Sequence, residues 1–194
     1  MFEELKYSKG VAIDVSSKAL KIAKKNAFTN KTIDRIKFIN VSIDKLHHYK
    51  FDLIVSNPPY IARHQLKNLS ADIKYFEPKI ALDGGNDGLD LIKKVIYKSR
   101  KILKINGSLA LEIGNGQIKK VSKILIDNNF RLKNVIEDYK NNVRCVIATH
   151  KQMNNNNRRR SFSSRPQKNN FRRRGGSLNP SSSGNLNNGN LNFS

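Results

Sequence analysis

The chain has 194 residues, room for one core of ordinary size plus an appendage and not for two full domains. Its formal charge of +22 favours anionic partners such as RNA or ribonucleoprotein, although the abundant Lys, Ile and Asn are also what an AT-biased coding sequence yields. A single cysteine, Cys145, excludes an internal disulfide and a cysteine-based zinc cluster, and in its apolar run it reads as a core residue.

The first 150 residues alternate strand-like and helix-like segments, the pattern of an α/β layered domain. Gly10-Val11-Ala12-Ile13-Asp14 predicts a short strand ending in an acid. Ser16 or Ser17 caps the helix that follows, which turns Ala19, Leu20, Ile22, Ala23 and Ala27 to one side. Residues 36–39 form a second strand. Residues 51–55 form a third, nearly all apolar and so expected to be covered on both faces.

An irregular stretch is expected from there to Asn86, with Pro78 and Gly84-Gly85 as breakers. A helix over about 88–104 carries Leu89, Ile92, Val95, Ile96 and Leu103 inward, and Asn106-Gly107 turns into a strand at 108–113. Gly114-Asn115-Gly116 is a tight turn into a second amphipathic helix over 117–128. Two closing strands, 132–136 and 144–148, are joined through Tyr139-Lys140-Asn141-Asn142.

Composition then breaks. Nine of the 37 bases and none of the 15 acids lie from Lys151 onward, among Asn, Ser and Gly. Residues 151–194 hold too few apolar side chains to offset their ordering entropy, so a disordered basic tail is expected, with RNA as its possible contact. No apolar run approaches the roughly 20 residues that span a bilayer. The start lacks the plan of a signal peptide. No membrane association is expected, and the cytoplasm is the default location.

The chemistry concentrates at Asn57-Pro58-Pro59-Tyr60, directly after the third strand. Two prolines fix φ and donate no backbone hydrogen bond, so the corner is rigid. The Asn57 side-chain oxygen and the Pro58 carbonyl are two acceptors able to grip one planar NH2 group, and Tyr60 adds a flat wall. That arrangement suits alkylation of an amide or amino nitrogen. His47-His48 have no acid or cysteine at ligand spacing, and Asp83-Gly84-Gly85 with Asp87 lacks the spacing of a calcium loop, so no metal is expected.

Segment 10–150 resembles the release factor glutamine methyltransferases, the PrmC/HemK family of S-adenosylmethionine-dependent enzymes. The matching text is Gly10 to Asp14, Asp52-Leu53-Ile54-Val55-Ser56-Asn57-Pro58-Pro59-Tyr60-Ile61, Tyr75-Phe76-Glu77-Pro78, Ala81-Leu82-Asp83-Gly84-Gly85-Asn86-Asp87-Gly88-Leu89 and Leu111-Glu112-Ile113-Gly114. Asn-Pro-Pro-Tyr alone is shared with amino-methyltransferases acting on adenine in DNA or RNA; the Phe-Glu-Pro and Ala-Leu-Asp-Gly-Gly runs discriminate further.

The resemblance implies an α/β, Rossmann-like methyltransferase fold, S-adenosylmethionine as cofactor and a class 1 peptide chain release factor as substrate. It implies that Asp14 accepts hydrogen bonds from the cofactor's ribose hydroxyls, the other reading of that acid being a helix cap. Asn57, Pro58, Pro59 and Tyr60 would hold the glutamine amide beside the cofactor. Glu77 would order the loop beneath the substrate or form a structural salt bridge.

The family opens its catalytic domain with a strand and a glycine-rich turn, Asp-x-Gly-x-Gly-x-Gly, after a helical domain. Nine residues precede Gly10 here and none forms such a turn, and Ser42 stands about where an acid near the adenine is usual. The expectation is a truncated member whose central strand is absent, with the edges of its two neighbours exposed and cofactor binding weak. A read-through into a following frame would account for the change of composition at Met153. Two rival readings stay open: an amino-methyltransferase acting on RNA or DNA, and a non-enzymatic basic RNA-binding protein.

Overall fold

The computed structural model describes residues 4–151, so all of the expected tail beyond Lys151 lies outside the described residues. The elements in chain order are β1 (Gly10–Asp14), α1 (Ser17–Thr29), β2 (Ile36–Asn40), β3 (Phe51–Ser56), α2 (Ala71–Phe76), α3 (Lys79–Leu82), α4 (Asp90–Ile102), β4 (Leu103–Glu112), α5 (Ile118–Asp127), β5 (Phe130–Glu137) and β6 (Val143–His150). Short 3-10 turns at Ile33–Arg35, Ile43–Lys45 and Arg63–Asn68 fill part of the connections.

The strands form two sheets. β1 pairs in parallel with β2, Gly10 opposite Ile36 and Asp14 opposite Asn40. The other sheet runs β3-β4-β6-β5, with β3 and β4 parallel and β6 antiparallel to both of its neighbours. Parallel neighbours need a long crossover, and helices supply it: α1 between β1 and β2, and α4 as the last part of the path from β3 to β4. No ladder joins β1 to β3. Among the described residues each therefore has one unpaired edge.

Burial is concentrated in the four-stranded half. Ile92 and Ile96 of α4, Val121 and Leu125 of α5, Leu109 and Leu111 of β4, and Val146 of β6 are fully enclosed. Ile92 and Ile96 are among the positions expected to face inward from α4, and full burial of such a side chain stabilises by about 1.5–3 kcal/mol. In the other half, Leu20 and Ala27 of α1 are buried, while the four residues from Gly10 to Ile13 are only half-buried. Ser16 caps α1, its Oγ accepting the Ala19 N–H at 3.2 Å.

Three expectations need correction. β3 is not covered on both faces: Leu53 is 42% exposed and Val55 58%, while Ile54 packs against the core. An apolar run reports what a strand is suited to bury, and among the described residues no layer covers one face of β3. The stretch 57–86 is not simply irregular, since a 3-10 helix, α2 and α3 lie within it. Every residue of α2 is exposed, so no apolar periodicity announced it. Asn106-Gly107 does not precede its strand but lies inside β4: Phe51 pairs with Leu103 and Leu53 already with Ser108, and Asn106 takes φ 64° to absorb the surplus residues.

The link between β5 and β6 is fastened by Asp138. Its carboxylate accepts the N–H groups of Lys140 at 2.8 Å and Asn142 at 3.0 Å and the Arg144 guanidinium at 2.9 Å. Those donors, the Asn142 amide foremost, hold the Asp138 carboxyl well below the usual carboxylate range. Cys145 is half-buried in β6, and burial pushes its thiol up, away from nucleophilic use.

Candidate active site

The corner at Asn57-Pro58-Pro59-Tyr60 leaves the carboxyl end of β3. Pro58 is buried, Pro59 and Tyr60 are half-buried, and Asn57 is exposed with no hydrogen bond from its side chain to another described residue. Both polar atoms of the Asn57 amide are thus left for a ligand.

The corner is held from behind by the segment 82–88. Ile61 N–H donates to the Leu82 carbonyl at 3.2 Å, Gly84 N–H to the Ile61 carbonyl at 2.9 Å, and Arg63 N–H to the Gly85 carbonyl at 2.8 Å. A Cβ on Gly84 would lie 2.9 Å from the Pro59 carbonyl oxygen and 2.9 Å from the Tyr60 carbonyl carbon. The glycine pair of Ala81-Leu82-Asp83-Gly84-Gly85 therefore acts through close backbone approach, seating this segment against the corner. Asp83 stiffens the turn: its Oδ1 accepts the Gly85 N–H at 2.9 Å, and its Oδ2 takes the Arg63 guanidinium at 3.2 Å. These bonds hold its carboxyl below the usual range, the Gly85 amide having the largest share.

Two residues from the far side of the sheet complete the support. The Tyr60 hydroxyl donates to Glu112 Oε1 at 3.3 Å, from the last residue of β4. Burial, then the negative charge of Glu112, pushes the Tyr60 phenol above its ordinary 10.0, so it stays a neutral donor. Gln117, just ahead of α5, has its Nε2 donating to the Tyr60 carbonyl at 2.9 Å and the Gly88 carbonyl at 3.3 Å, while its Oε1 accepts the Gly114 N–H at 2.8 Å. Sequence reasoning gave neither residue a role. Glu112 lies within a quoted motif, and a polar residue closing an otherwise apolar strand was the available signal; Gln117 gave none beyond opening a helix.

A cavity of about 830 Å³ opens at this end of the sheets, lined among others by Val15, Pro59, Arg63, Lys79, Asp83 and Asp90. Val15 follows β1 and Pro59 follows β3, so the carboxyl ends of both strands face one space, the usual ligand position in an open α/β sheet. Asp14, the last residue of β1, immediately precedes Val15 but does not itself line this cavity. One carboxylate oxygen accepts the Ser16 N–H at 2.7 Å, which is the capping role; the other has no partner among the described residues. Both readings of Asp14 thus fit one side chain. Asn40 Nδ2 donates to the Asp14 carbonyl at 2.8 Å and fixes the strand end.

Glu77 stands apart. It is exposed and lines an adjoining cavity of about 360 Å³ with Leu66, Leu69 and Leu82, which shares only Arg63 and Lys79 with the first. His47 and His48 are exposed, and among the described residues no cluster of His, Cys, Asp and Glu could hold a metal ion. No helix among the described residues is long and apolar enough to cross a membrane.

The residues present fit the ribose end of an S-adenosylmethionine-type cofactor, through the unshared Asp14 oxygen, and the acceptor end at Asn57. Nothing among the described residues closes the space between the unpaired edges of β1 and β3.

Residues 3–73 match the family described as UPF0020, RMKL-like, methyltransferase domain. The chain is 44% identical over 147 residues to the release factor glutamine methyltransferase of Fusobacterium nucleatum, covering 75% of this chain and 41% of that protein. It is 37% identical over 149 residues to the protein of the same name from Clostridium acetobutylicum, covering 74% and 52%. A ribosomal protein uL3 glutamine methyltransferase of Francisella tularensis is 43% identical over 106 residues, covering 54% and 33%. The chain thus spans about half, or less, of the curated relatives it matches.

Among solved structures, a methyltransferase from Pyrococcus furiosus aligns with TM-score 0.58 at 20% identity, covering 78% of this chain and 68% of that one. A ribosomal protein L11 methylase from Lactobacillus delbrueckii aligns with TM-score 0.52 at 19% identity, covering 74% and 58%. These share the fold. Over about three quarters of its length the chain is similar to release factor glutamine methyltransferases, of which it spans about half or less.

Proposed function

We propose that this chain carries the acceptor half of an S-adenosylmethionine-dependent methyltransferase acting on a glutamine side-chain amide of a class 1 peptide chain release factor. The observation that carries the reading is the rigid corner at Asn57–Tyr60, set at the carboxyl end of β3 and braced by residues 82–88, Glu112 and Gln117. The names of the relatives and the Phe-Glu-Pro and Ala-Leu-Asp-Gly-Gly runs favour a protein glutamine over a nucleobase.

An amide nitrogen is a poor nucleophile because its lone pair is delocalised into the carbonyl. Asn57 Oδ1 and the Pro58 carbonyl accept its two N–H bonds, which favours an amine-like nitrogen and stabilises positive charge as it develops. The prolines keep those acceptors fixed, and such positioning is worth on the order of 7–11 kcal/mol in well-oriented systems. Tyr60, anchored by Glu112, walls one side of the amide and keeps water from it. When bound, S-adenosylmethionine supplies an electrophilic methyl group. The Asp14 carboxylate holds a ribose hydroxyl, and no metal or general base is needed before transfer, since the proton leaves afterwards.

The test is a transfer assay with the full chain and labelled cofactor at millimolar concentration, offering release factor or total RNA. Label on a release-factor glutamine, lost in Asn57→Ala, is expected. Label confined to RNA, or no label at all, overturns the reading.

A further inference from the structure

We propose that the cavity lined by Leu66, Leu69 and Leu82 is a docking subsite for an acidic segment of the protein substrate, an apolar side chain flanked by carboxylates close to the glutamine that enters the corner. The proposal rests on the reading of this chain as acting on a protein glutamine. The cavity holds about 360 Å³ and adjoins the corner. Arg63, which lines it, follows Tyr60 by three positions, and three residues of chain reach at most about 11 Å. The Leu82 carbonyl accepts the Ile61 N–H at 3.2 Å, so this wall is tied to the corner. From the same lining the Glu77 charge reaches the Tyr60 phenol, adding to the larger effects of burial and Glu112. An extended substrate lying against Tyr60 therefore reaches the cavity within about three residues.

The lining has two characters. Leu66, Leu69 and Leu82 are half-buried, while Arg63, Lys67, Lys74 and Lys79 are exposed, with Glu77 as the one acid among them. Arg63 is engaged by Asp83 at 3.2 Å. Lys74 Nζ donates to the Lys67 carbonyl at 2.7 Å and ties α2 to the preceding 3-10 helix. The ammonium groups of Lys67 and Lys79 make no ion pair or hydrogen bond among the described residues, though the Lys79 charge is felt at Asp83. Three leucines beside two such cations fit an apolar side chain with a carboxylate on either side, and the pairing of opposite charges sets its register. RNA fits less well, because no aromatic ring lines the cavity for a base to stack on. A seat next to the reacting centre supplies binding energy that holds the glutamine in place for transfer.

The probe is a synthetic peptide with a leucine between two glutamates and no glutamine, added to the full chain carrying isotope-labelled leucine methyl groups. Nine bases lie from Lys151 onward and attract any acidic peptide, so the readout is local. The methyl resonances of Leu66, Leu69 and Leu82 are expected to shift on titration, while those of Leu20, Leu109 and Leu125, buried elsewhere, stay in place. Lys67→Glu with Lys79→Glu, both at exposed positions, is expected to keep the methyl spectrum of the free chain and to weaken the peptide at least tenfold. Replacing the peptide's glutamates by neutral residues is expected to weaken it as much. Unmoved resonances at the three leucines, or shifts that ignore the two lysine reversals, overturn the proposal. So does polyuridylate that shifts the same methyls with equal or higher affinity, since the surface then belongs to RNA. The peptide has no glutamine to methylate, so failure here and failure of the transfer assay are told apart.

Discussion

The two halves of this molecule are built from the same kind of unit, parallel strands with a helix between them, and they differ sharply in how much they bury. The half containing β3, β4, β6 and β5 encloses α4 and α5 against a continuous core. The half containing β1, α1 and β2 encloses Leu20 and Ala27 and leaves both strands half-exposed, with Ile22 at 62% and Phe28 at 73% exposure on α1. A βαβ unit buries its second face only when it is continued by further strands and helices. The corner at Asn57–Tyr60, the proposed acceptor site, stands on the well-packed half, and Asp14 stands on the other. The difference in packing is therefore also a difference between the two ends of the site.

The largest effect that separates the halves is a core truncation. Ile96→Ala is expected to cost about 2–5 kcal/mol in urea unfolding, because the enclosed side chain leaves a cavity. Ile13→Ala in β1, half-buried, is expected to cost less than half as much. Equal losses would mean that the two halves unfold as one equally packed body.

Next comes the brace behind the corner. Gly84→Ala places a Cβ against the Pro59 and Gly88 carbonyl oxygens, each 2.9 Å away, and should cost about 1–3 kcal/mol as overpacking does. It should also shift the Tyr60 ring resonances while those of α1 stay in place. An unmoved Tyr60 would show that the corner does not lean on this segment.

The smallest expected effect is at Asp138. Its depressed carboxyl contributes stability that is present above its ordinary value of 3.8 and is lost as pH falls through that value and below. Asp138→Asn should therefore be less stable than the parent at neutral pH, with the gap closing under acid conditions. A gap that is constant with pH contradicts the assigned hydrogen bonds.

Much of the well-packed half was legible in the sequence because its signals come from burial. The 3.6-residue spacing of Ile92, Val95 and Ile96, and of Val121 and Leu125, marks sides that are in fact enclosed. The corner was legible for a different reason: two adjacent prolines after an apolar run leave the backbone few choices. What stayed hidden was set by tertiary partners. Leu53 and Val55 carry the same apolar character as Ile54, yet no described residue covers their face of the strand. α2 lacks any buried residue and so had no periodicity to read. Gln117 acts through bonds to residues 57 and 29 positions away, which no local pattern announces.

The most direct test of the proposal, that Asn57–Tyr60 offers a built acceptor corner while Asp14 alone gives only weak cofactor contact, is calorimetric titration of the full chain with S-adenosylmethionine. Dissociation constants in the millimolar range or weaker are predicted. A micromolar constant for the chain alone would contradict the account.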